Sequence, residues 1–375
     1  MMAGMLAVAS VQGSAGTILL PVTDHLPLLG GFMAVVIGLL VADLTLFHRN
    51  PKPVGWLAAA GGVSFWVVLA LLFNAGLFVF IDGWLRAHPQ QLLNAGLLTA
   101  DQMASQSLVA LAASNAAIDL SVQWLASYVI EMSLSVDNLF VFVVVLRYFA
   151  VPAALQHRVL FWGILGAIIM RAVFIGAGVA VMHRFEWVAG VFGAFLLFTG
   201  LKMVAPSRGD GHMVDPARTV GFRLMKLILP LQREFDGTHF FSKANGRIVA
   251  TPLLGALVVI EFSDVVFAVD SVPAVLAITR EPLLAFTSNI AAVLGLRAMY
   301  FLLANAVDRF HLLKPALGLV LAFVGVKMGW QWWYHEPLLP IGISLSIVLA
   351  TVALGAILSL LVPPRQAHKP AQPTI

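Results

Sequence analysis

The chain has 375 residues, 60% hydrophobic and only 11% charged, with a mean hydropathy of +0.94. Soluble domains carry about 25% charged residues, so soluble enzymes, nucleic-acid binders and disordered scaffolds are excluded and lipid must be the main solvent. The net charge of +4 arises from 22 Lys+Arg against 18 Asp+Glu, and the absence of Cys removes disulfides, thiolate metal sites and thiol catalysis.

Residues 1–27 hold no Lys or Arg. Met1 to Thr17 is apolar and rich in small residues but lacks the positive n-region of a signal peptide, so it reads as a poorly ordered stretch within an N-terminal extension, 1–27. Nine stretches then reach the roughly 20 apolar residues that a membrane-crossing helix needs. They are Leu28–Phe47, Val54–Ile81, Leu120–Phe149, Val159–Met182, Trp187–Val204, Ile248–Ile278, Leu283–Val307, Pro315–Trp333 and Leu338–Val362. Between the second and third, Asp82 to Asp119 reads as an outside loop, polar enough to be solvated and with room for helix, and between the fifth and sixth lies a segment, 205–247, with seven basic residues. Within it, Phe222 to Leu229 has the pattern of a short basic amphipathic segment suited to anionic headgroups, or of an ordinary connector. The tail after Pro363 reads as disordered.

Alternate connecting segments carry 15 and 3 Lys+Arg. By the positive-inside rule the N-terminus lies outside and the C-terminus in the cytoplasm. The predicted architecture is therefore an all-α polytopic membrane protein of about nine transmembrane helices.

The chain also repeats itself. Glu131-Met-Ser-Leu-Ser-Val-Asp137-Asn138 aligns with Asp264-Val-Val-Phe-Ala-Val-Asp270-Ser271, Arg171-Ala-Val-Phe with Arg297-Ala-Met-Tyr, and Phe198-Thr-Gly-Leu-Lys202-Met203 with Phe323-Val-Gly-Val-Lys327-Met328. Each copy holds three spans, in 120–204 and 248–333, so the second enters the membrane from the opposite side. Segment 28–119 adds two accessory helices and 334–375 a last helix and tail. Three-plus-three inverted-topology repeats are common in secondary transporters, whose substrates bind near the midplane at the repeat interface.

Six acids fall within spans: Asp43, Glu131, Asp137, Glu261, Asp264 and Asp270. A charge at the bilayer centre costs about 2.5–3.5 kcal/mol on insertion scales, so it implies a partner or a function. Glu131, Ser135 and Asn138 share one helix face, as do Glu261 and Asp264. Pro273 cannot donate to the carbonyl of Val269, which predicts a helix break near Val269–Ser271 beside Asp270. Asn74 and Asn289 are further polar groups at depth. Every candidate ligand is oxygen, including the hydroxyls of Ser135 and Ser271, and such hard sites suit Mg, Ca or Mn. Crowded carboxylates raise one another's pKa unless cations or protons compensate, which makes cation–proton exchange chemically reasonable. The competing reading is an ion-pair network with the four intramembrane bases. Arg171 and Arg297 are deep enough to neutralise a carboxylate each, whereas Lys202 and Lys327 end their spans and are expected to snorkel or pair locally.

At these motifs the sequence resembles the TerC/Alx family of integral membrane proteins, grouped with the LysE-type exporters. The resemblance rests on the Glu131 to Asn138 motif, on Asp236-Gly-Thr-His-Phe-Phe with Asn245-Gly246 and Ala250-Thr-Pro-Leu, and on Glu261-Phe-Ser-Asp-Val-Val-Phe-Ala-Val-Asp-Ser-Val-Pro. It continues through Thr287-Ser-Asn-Ile and Leu294-Gly-Leu-Arg-Ala-Met-Tyr. It implies a bacterial inner-membrane protein of the kind associated with manganese efflux, alkaline-pH response and tellurium resistance. It points to Glu131, Asp137, Asn138, Glu261, Asp264 and Asp270 as the metal site, with Mn²⁺ as transported substrate; the choice of manganese comes from the resemblance alone. The expected function is secondary export of a divalent cation, coupled to protons, with the bilayer, the cation and protons as partners and no organic cofactor, nucleic acid or enzymatic activity. The alternative is a scaffold or assembly factor in membrane stress responses, with a structural or regulatory metal. An aspartyl intramembrane protease is disfavoured, because the Tyr-Asp and Gly-x-Gly-Asp pairing it needs is absent.

Sorting the charge by depth divides the +4 into two opposite signals. With Arg147, at the very end of the third span, counted to its connector, the connecting segments hold 18 bases and 12 acids, whereas the spans hold four bases and six acids.

Overall fold

A computed structural model describes residues 18–47, 56–185, 187–205, 219, 222–223, 225, 230–232, 234–244, 247–303 and 312–362, without the side chains of 43–47, 56, 137, 183, 244 and 360. Met1 to Thr17, most of the basic segment 205–247 with the greater part of Phe222–Leu229, and the tail after Val362 lie outside the described residues.

The described chain is helical apart from one small hairpin. A 3-10 turn, Val22–His25, leads into α1 (Leu26–Phe47), followed by α2 (Trp56–Ala87), α3 (Pro89–Asn94), a 3-10 turn at Gln102–Ala104, α4 (Gln106–Tyr148), α5 (Ala153–Arg184) and α6 (Trp187–Val204). The hairpin pairs β1 (Phe241–Ala244) with β2 (Arg247–Ala250), antiparallel, Phe241 opposite Ala250. Then come α7 (Pro252–Leu276), α8 (Pro282–Leu294), α9 (Leu296–Leu303), α10 (Leu313–Tyr334) and α11 (Ile341–Leu361). Among the described residues nine helical stretches are long and apolar enough to cross a membrane, α8 and α9 together forming one of them. The chain is an all-α, multi-pass integral membrane protein, and its spans fall where hydropathy places them.

Several boundaries differ from the expectation by a few residues or more, and two of them have a clear local cause. The helix of the third span begins at Gln106, because the apolar run Leu108-Val-Ala-Leu-Ala-Ala continues the helical pattern into what reads as a loop. The sixth span begins only at Pro252, because 247–250 is spent on β2 and Thr251 closes the hairpin, its Oγ1 donating to the carbonyls of His239 (2.8 Å) and Phe240 (3.0 Å).

The break expected near Val269–Ser271 does not form. Helix α7 runs through Pro273 to Leu276. The proline stands three residues from the helix end, so it removes one hydrogen bond where the ladder is about to stop, and its own carbonyl accepts from Ala277 N at 2.9 Å. The discontinuity lies instead in the seventh span, at Gly295 between α8 and α9.

The centre is built from α4, α5, α7 and α8. Helix α4 packs on both α7 and α8, and α5 does the same from the other side. Helices α1, α2 and α11 leave most of their apolar windows uncovered, as lipid-facing helices do, whereas α4 and α8–α9 are the most enclosed. Glycines allow the close approaches. A Cβ at Gly163 on α5 would stand 3.1 Å from Ile260, and one at Gly178 2.8 Å from Leu276, both on α7. Helices α6 and α10 meet backbone to backbone: a Cβ at Gly193 would lie 3.0 Å from the carbonyl of Gly325, and one at Gly318 2.7 Å from that of Gly200.

Candidate membrane-embedded charge site

The four central helices each send one polar side chain to the same buried place. Glu131 (α4), Arg171 (α5), Asp264 (α7) and Asn289 (α8) are all at most 1% exposed. Arg171 Nη1 donates to Glu131 Oε1 and, at 3.0 Å, to Asn289 Oδ1, while Nη2 reaches Asp264 Oδ1 at 3.4 Å. Asn289 Nδ2 donates to Glu131 Oε2 at 2.8 Å, and Ser135, one turn along α4, lies with its Oγ 3.4 Å from Oε1. The chemistry fixes the orientation of the amide. A guanidinium only donates and a carboxylate only accepts, so the Asn289 oxygen must face Arg171 and its nitrogen Glu131.

The network is incomplete at two atoms. Asp264 Oδ2 and Arg171 Nε are buried without a hydrogen-bond partner. Two carboxylates face one guanidinium, and Glu261, one turn before Asp264, adds a third acid nearby. Glu261 is partly buried, with its carboxylate over Gly166 of α5; any side chain at 166 would collide with it. In a low-dielectric interior an unsatisfied carboxylate oxygen is expensive, and an acidic surplus favours uptake of a proton or a cation.

The remaining candidates are placed as follows. Asn138 is buried on α4, two turns from Glu131. Asp270 is partly buried near the end of α7, and Ser271 beside it is buried with its Oγ unpartnered. Asn74 ties α2 to α4, its Nδ2 donating to the carbonyl of Ser121 at 3.0 Å. Arg297, the repeat counterpart of Arg171, is buried on α9 and lines a cavity of about 310 Å³ bounded by α1, α2, α5 and α8. Asp43 on α1 and Asp137 on α4 have side chains outside the described residues. Among the described residues no three Asp, Glu or His side chains surround a common point where a metal could sit. Of the six expected ligands, the structure therefore brings Glu131 and Asp264 together through Arg171. Lys327 differs from expectation: it neither snorkels nor pairs, being 2% exposed on α10 with its amine unpartnered, while Lys202 is exposed on α6.

An aromatic layer separates the network from the end of the bundle bearing the α7–α8 turn. Trp124, two turns before Glu131, is fully buried and donates from Nε1 to Thr287 Oγ1 at 2.9 Å, two residues from Asn289. Its ring stacks on Tyr128 and tilts against Phe73. Trp124 does not stand out in the sequence, because it fits an apolar helix, and Thr287 enters there only as part of the Thr287-Ser-Asn-Ile motif.

Residues 117–367 match the model of the integral membrane protein TerC family. The chain belongs to the TerC family. Within the curated proteins, this TerC chain is 40% identical to an uncharacterized membrane protein of Myxococcus xanthus over 91% of its own length and 93% of that protein's. It is 41% identical to the membrane-bound redox modulator Alx of Salmonella typhi, covering 89% and 94% of the two chains. The chloroplastic thylakoid membrane protein TERC of Arabidopsis thaliana is 41% identical over 64% of this chain and 61% of its own. No solved structure matches. Family membership bears out the resemblance read from the acidic motifs.

Proposed function

We propose that this TerC protein is a secondary transporter that exports a divalent cation, Mn²⁺, through the Glu131–Asp264 site, in the bacterial inner membrane. The observation that carries the reading is the buried, unpartnered Oδ2 of Asp264 beside two further acids. Arg171 occupies the position between Glu131 and Asp264 where a cation would otherwise neutralise both. An entering cation would take over these two carboxylates and release the guanidinium, with Asn138, Asp137, Glu261 and Asp270 as further oxygen ligands along the path. Protonation of the same carboxylates would then release the cation.

The inverted repeat gains support from two features of the packing. Gly193 and Gly200 of α6 correspond in the repeat to Gly318 and Gly325 of α10, and the contacts exchange: Gly193 meets Gly325 while Gly318 meets Gly200. Helix α4 packs on α8 as α5 packs on α7, again with repeat partners exchanged. A pseudo-two-fold axis of this kind is what alternating access uses. The basic bias of alternate segments supports an outside N-terminus and a cytoplasmic C-terminus.

The relatives named redox modulators suggest a redox effect here too. Because the chain holds no Cys, such an effect would not run through its own thiols. A scaffold role is the second reading, favoured by Arg171, which already neutralises part of the acidic cluster. Purified protein in liposomes separates the two. Mn²⁺ flux that responds to a pH gradient and falls at least tenfold in Asp264→Asn supports transport. Absence of flux for Mn²⁺, Mg²⁺ and Ca²⁺ would favour the scaffold, and flux unchanged in Asp264→Asn, Asp137→Asn and Asp270→Asn would remove the assigned site.

A further inference from the structure

The described chain begins at Ile18, directly after the stretch that the sequence marks as poorly ordered, and its first residues are seated on the bundle. Leu19 and Leu20 are fully buried, in a cluster with Leu77, Ile81, Leu85 and Leu283. Their backbone N–H groups converge on one side chain far away in sequence: Glu281, in the α7–α8 turn, accepts from Leu19 N at 2.7 Å and from Leu20 N at 3.1 Å. Glu281 is itself 4% exposed, and its own N–H is 3.2 Å from Thr279 Oγ1. Five residues after Leu20, His25 is 2% exposed, wedged edge-on against Phe80 and Trp84, with Nδ1 2.8 Å from the carbonyl of Pro21. Two side chains and a ring thus pin residues 19–25, and one carboxyl holds the first of them.

Its position gives the segment a role. Glu281 caps α8, eight residues before Asn289, which is about 12 Å along a helix. The Trp124–Thr287 pair lies between them. The segment therefore forms the outermost of two layers closing this end of the bundle above the Glu131 network.

We propose that residues 18–25 are a releasable plug over the α7–α8 end of the transport site, clamped by the Glu281 carboxyl and loosened when that carboxyl is ionised. This deepens the transport reading and rests on it for the purpose of the plug, not for its existence. Burial pushes the Glu281 carboxyl up to about 7, outweighing the two amide hydrogen bonds, which by themselves favour the charged form. A released segment leaves Glu281 in water with an ordinary pKa. Seating therefore takes up a proton: it is favoured at acid pH and weakens as pH rises through about 7. The other ionisable groups at this end are Asp24 and His25 on the segment, Arg280 beside Glu281, His88, Asp101, Asp119, and Asp82 and Arg86, which pair with each other at 2.9 Å. Protonation of His25 would place a cation among rings and oppose seating at the acid extreme, so Glu281→Gln is needed to isolate the clamp.

The absence of Cys makes the test direct. Leu20→Cys and Thr23→Cys each place one thiol in the full-length protein, the first at a buried position and the second at an exposed one on the same segment. A water-soluble maleimide should label Leu20→Cys at least about tenfold more slowly than Thr23→Cys at pH 6. By pH 8.5 the ratio should close by about tenfold, the Thr23→Cys rate correcting for thiolate fraction. Adding Glu281→Gln should hold the ratio at its pH 6 value throughout. Equal labelling at pH 6 would show that the segment is not seated, and a ratio independent of pH with Glu281 present would show that the clamp does not release. Because Leu20→Cys could itself loosen the segment, hydrogen exchange of the Leu19 and Leu20 amides in the unaltered chain gives a second reading. These amides should be protected at pH 6 and lose protection by pH 8.5 beyond the rise in chemical exchange; unchanged protection would also overturn the proposal. Neither readout requires flux, so failure of the plug and failure of the transport reading are separate results.

Discussion

Glu131 and Glu281 are both buried carboxyls, and they are held by opposite means. Glu131 faces a guanidinium and an amide in the middle of the bundle, whereas Glu281 faces two backbone N–H groups at its end. A guanidinium does not deprotonate in proteins, so the first arrangement carries a permanent positive charge that only another cation can replace. The second has dipoles alone, which leaves a proton as the natural means of neutralisation. On the transport reading the first site exchanges cations, and on the plug reading the second responds to pH. The comparison also explains why the first draws on four helices and the second on a single turn and a short irregular segment: compensating a charge needs surrounding donors, whereas compensating a proton-bearing acid needs few.

Removing Arg171 tests the first half of this contrast most severely. Arg171→Met keeps the volume but leaves Glu131 and Asp264 buried without their cation. Truncating one member of a buried pair costs about 3–5 kcal/mol, so a large drop in thermal stability in detergent is expected. Arg171→Lys should recover part of it, because a point charge cannot reach Glu131, Asn289 and Asp264 as the fork does. Stability equal to the unaltered protein in both variants would mean that the acids are already protonated and that Arg171 is not their counter-charge.

Asn289→Leu is the intermediate case. It removes a donor from Glu131 and an acceptor from Arg171 while preserving the charges, and unmade buried hydrogen bonds of this kind cost about 1–3 kcal/mol. The loss should be smaller than for Arg171→Met in the same melt. A larger loss would assign the cohesion of the site to the amide rather than to the ion pair.

Which of these residues could be read beforehand follows from what each signal encodes. The spans, the buried acids and the candidate status of Arg171 and Asn289 were all legible, because a polar residue in an apolar 20-mer is conspicuous by itself. What did not follow was which groups meet. Face arithmetic places Glu131, Ser135 and Asn138 together on α4, yet the rotation of α4 against α5 and α8 decides that Arg171 and Asn289 complete the set. Glu261 sits where it does because Gly166 on another helix has no side chain, a condition visible only once α5 and α7 are packed. Pro273 misled because its effect depends on its distance from a helix end that hydropathy locates poorly. The Glu281 clamp joins positions 262 residues apart through backbone amides, which carry no sequence signature at all.

The smallest effect expected is on global stability through Glu281, and its size follows from the same contrast. The carboxyl is shifted upward, from 4.5 to about 7, so the folded form binds the proton more tightly than the unfolded one. Its contribution is fully present below about pH 4.5 and is lost as pH rises through about 7. Glu281→Gln should therefore flatten this part of the pH dependence of stability, its amide being neutral at every pH. The difference should nevertheless be only about 1 kcal/mol or less, because the segment has a cheaper route than unfolding: local release returns Glu281 to water and caps the penalty at the free energy of seating. The effect should accordingly be larger in the exchange of the Leu19 and Leu20 amides than in the melt. A pH dependence of several kcal/mol in the melt, abolished by Glu281→Gln, would show that the segment cannot leave without the bundle and would turn the plug into a fixed part of the fold.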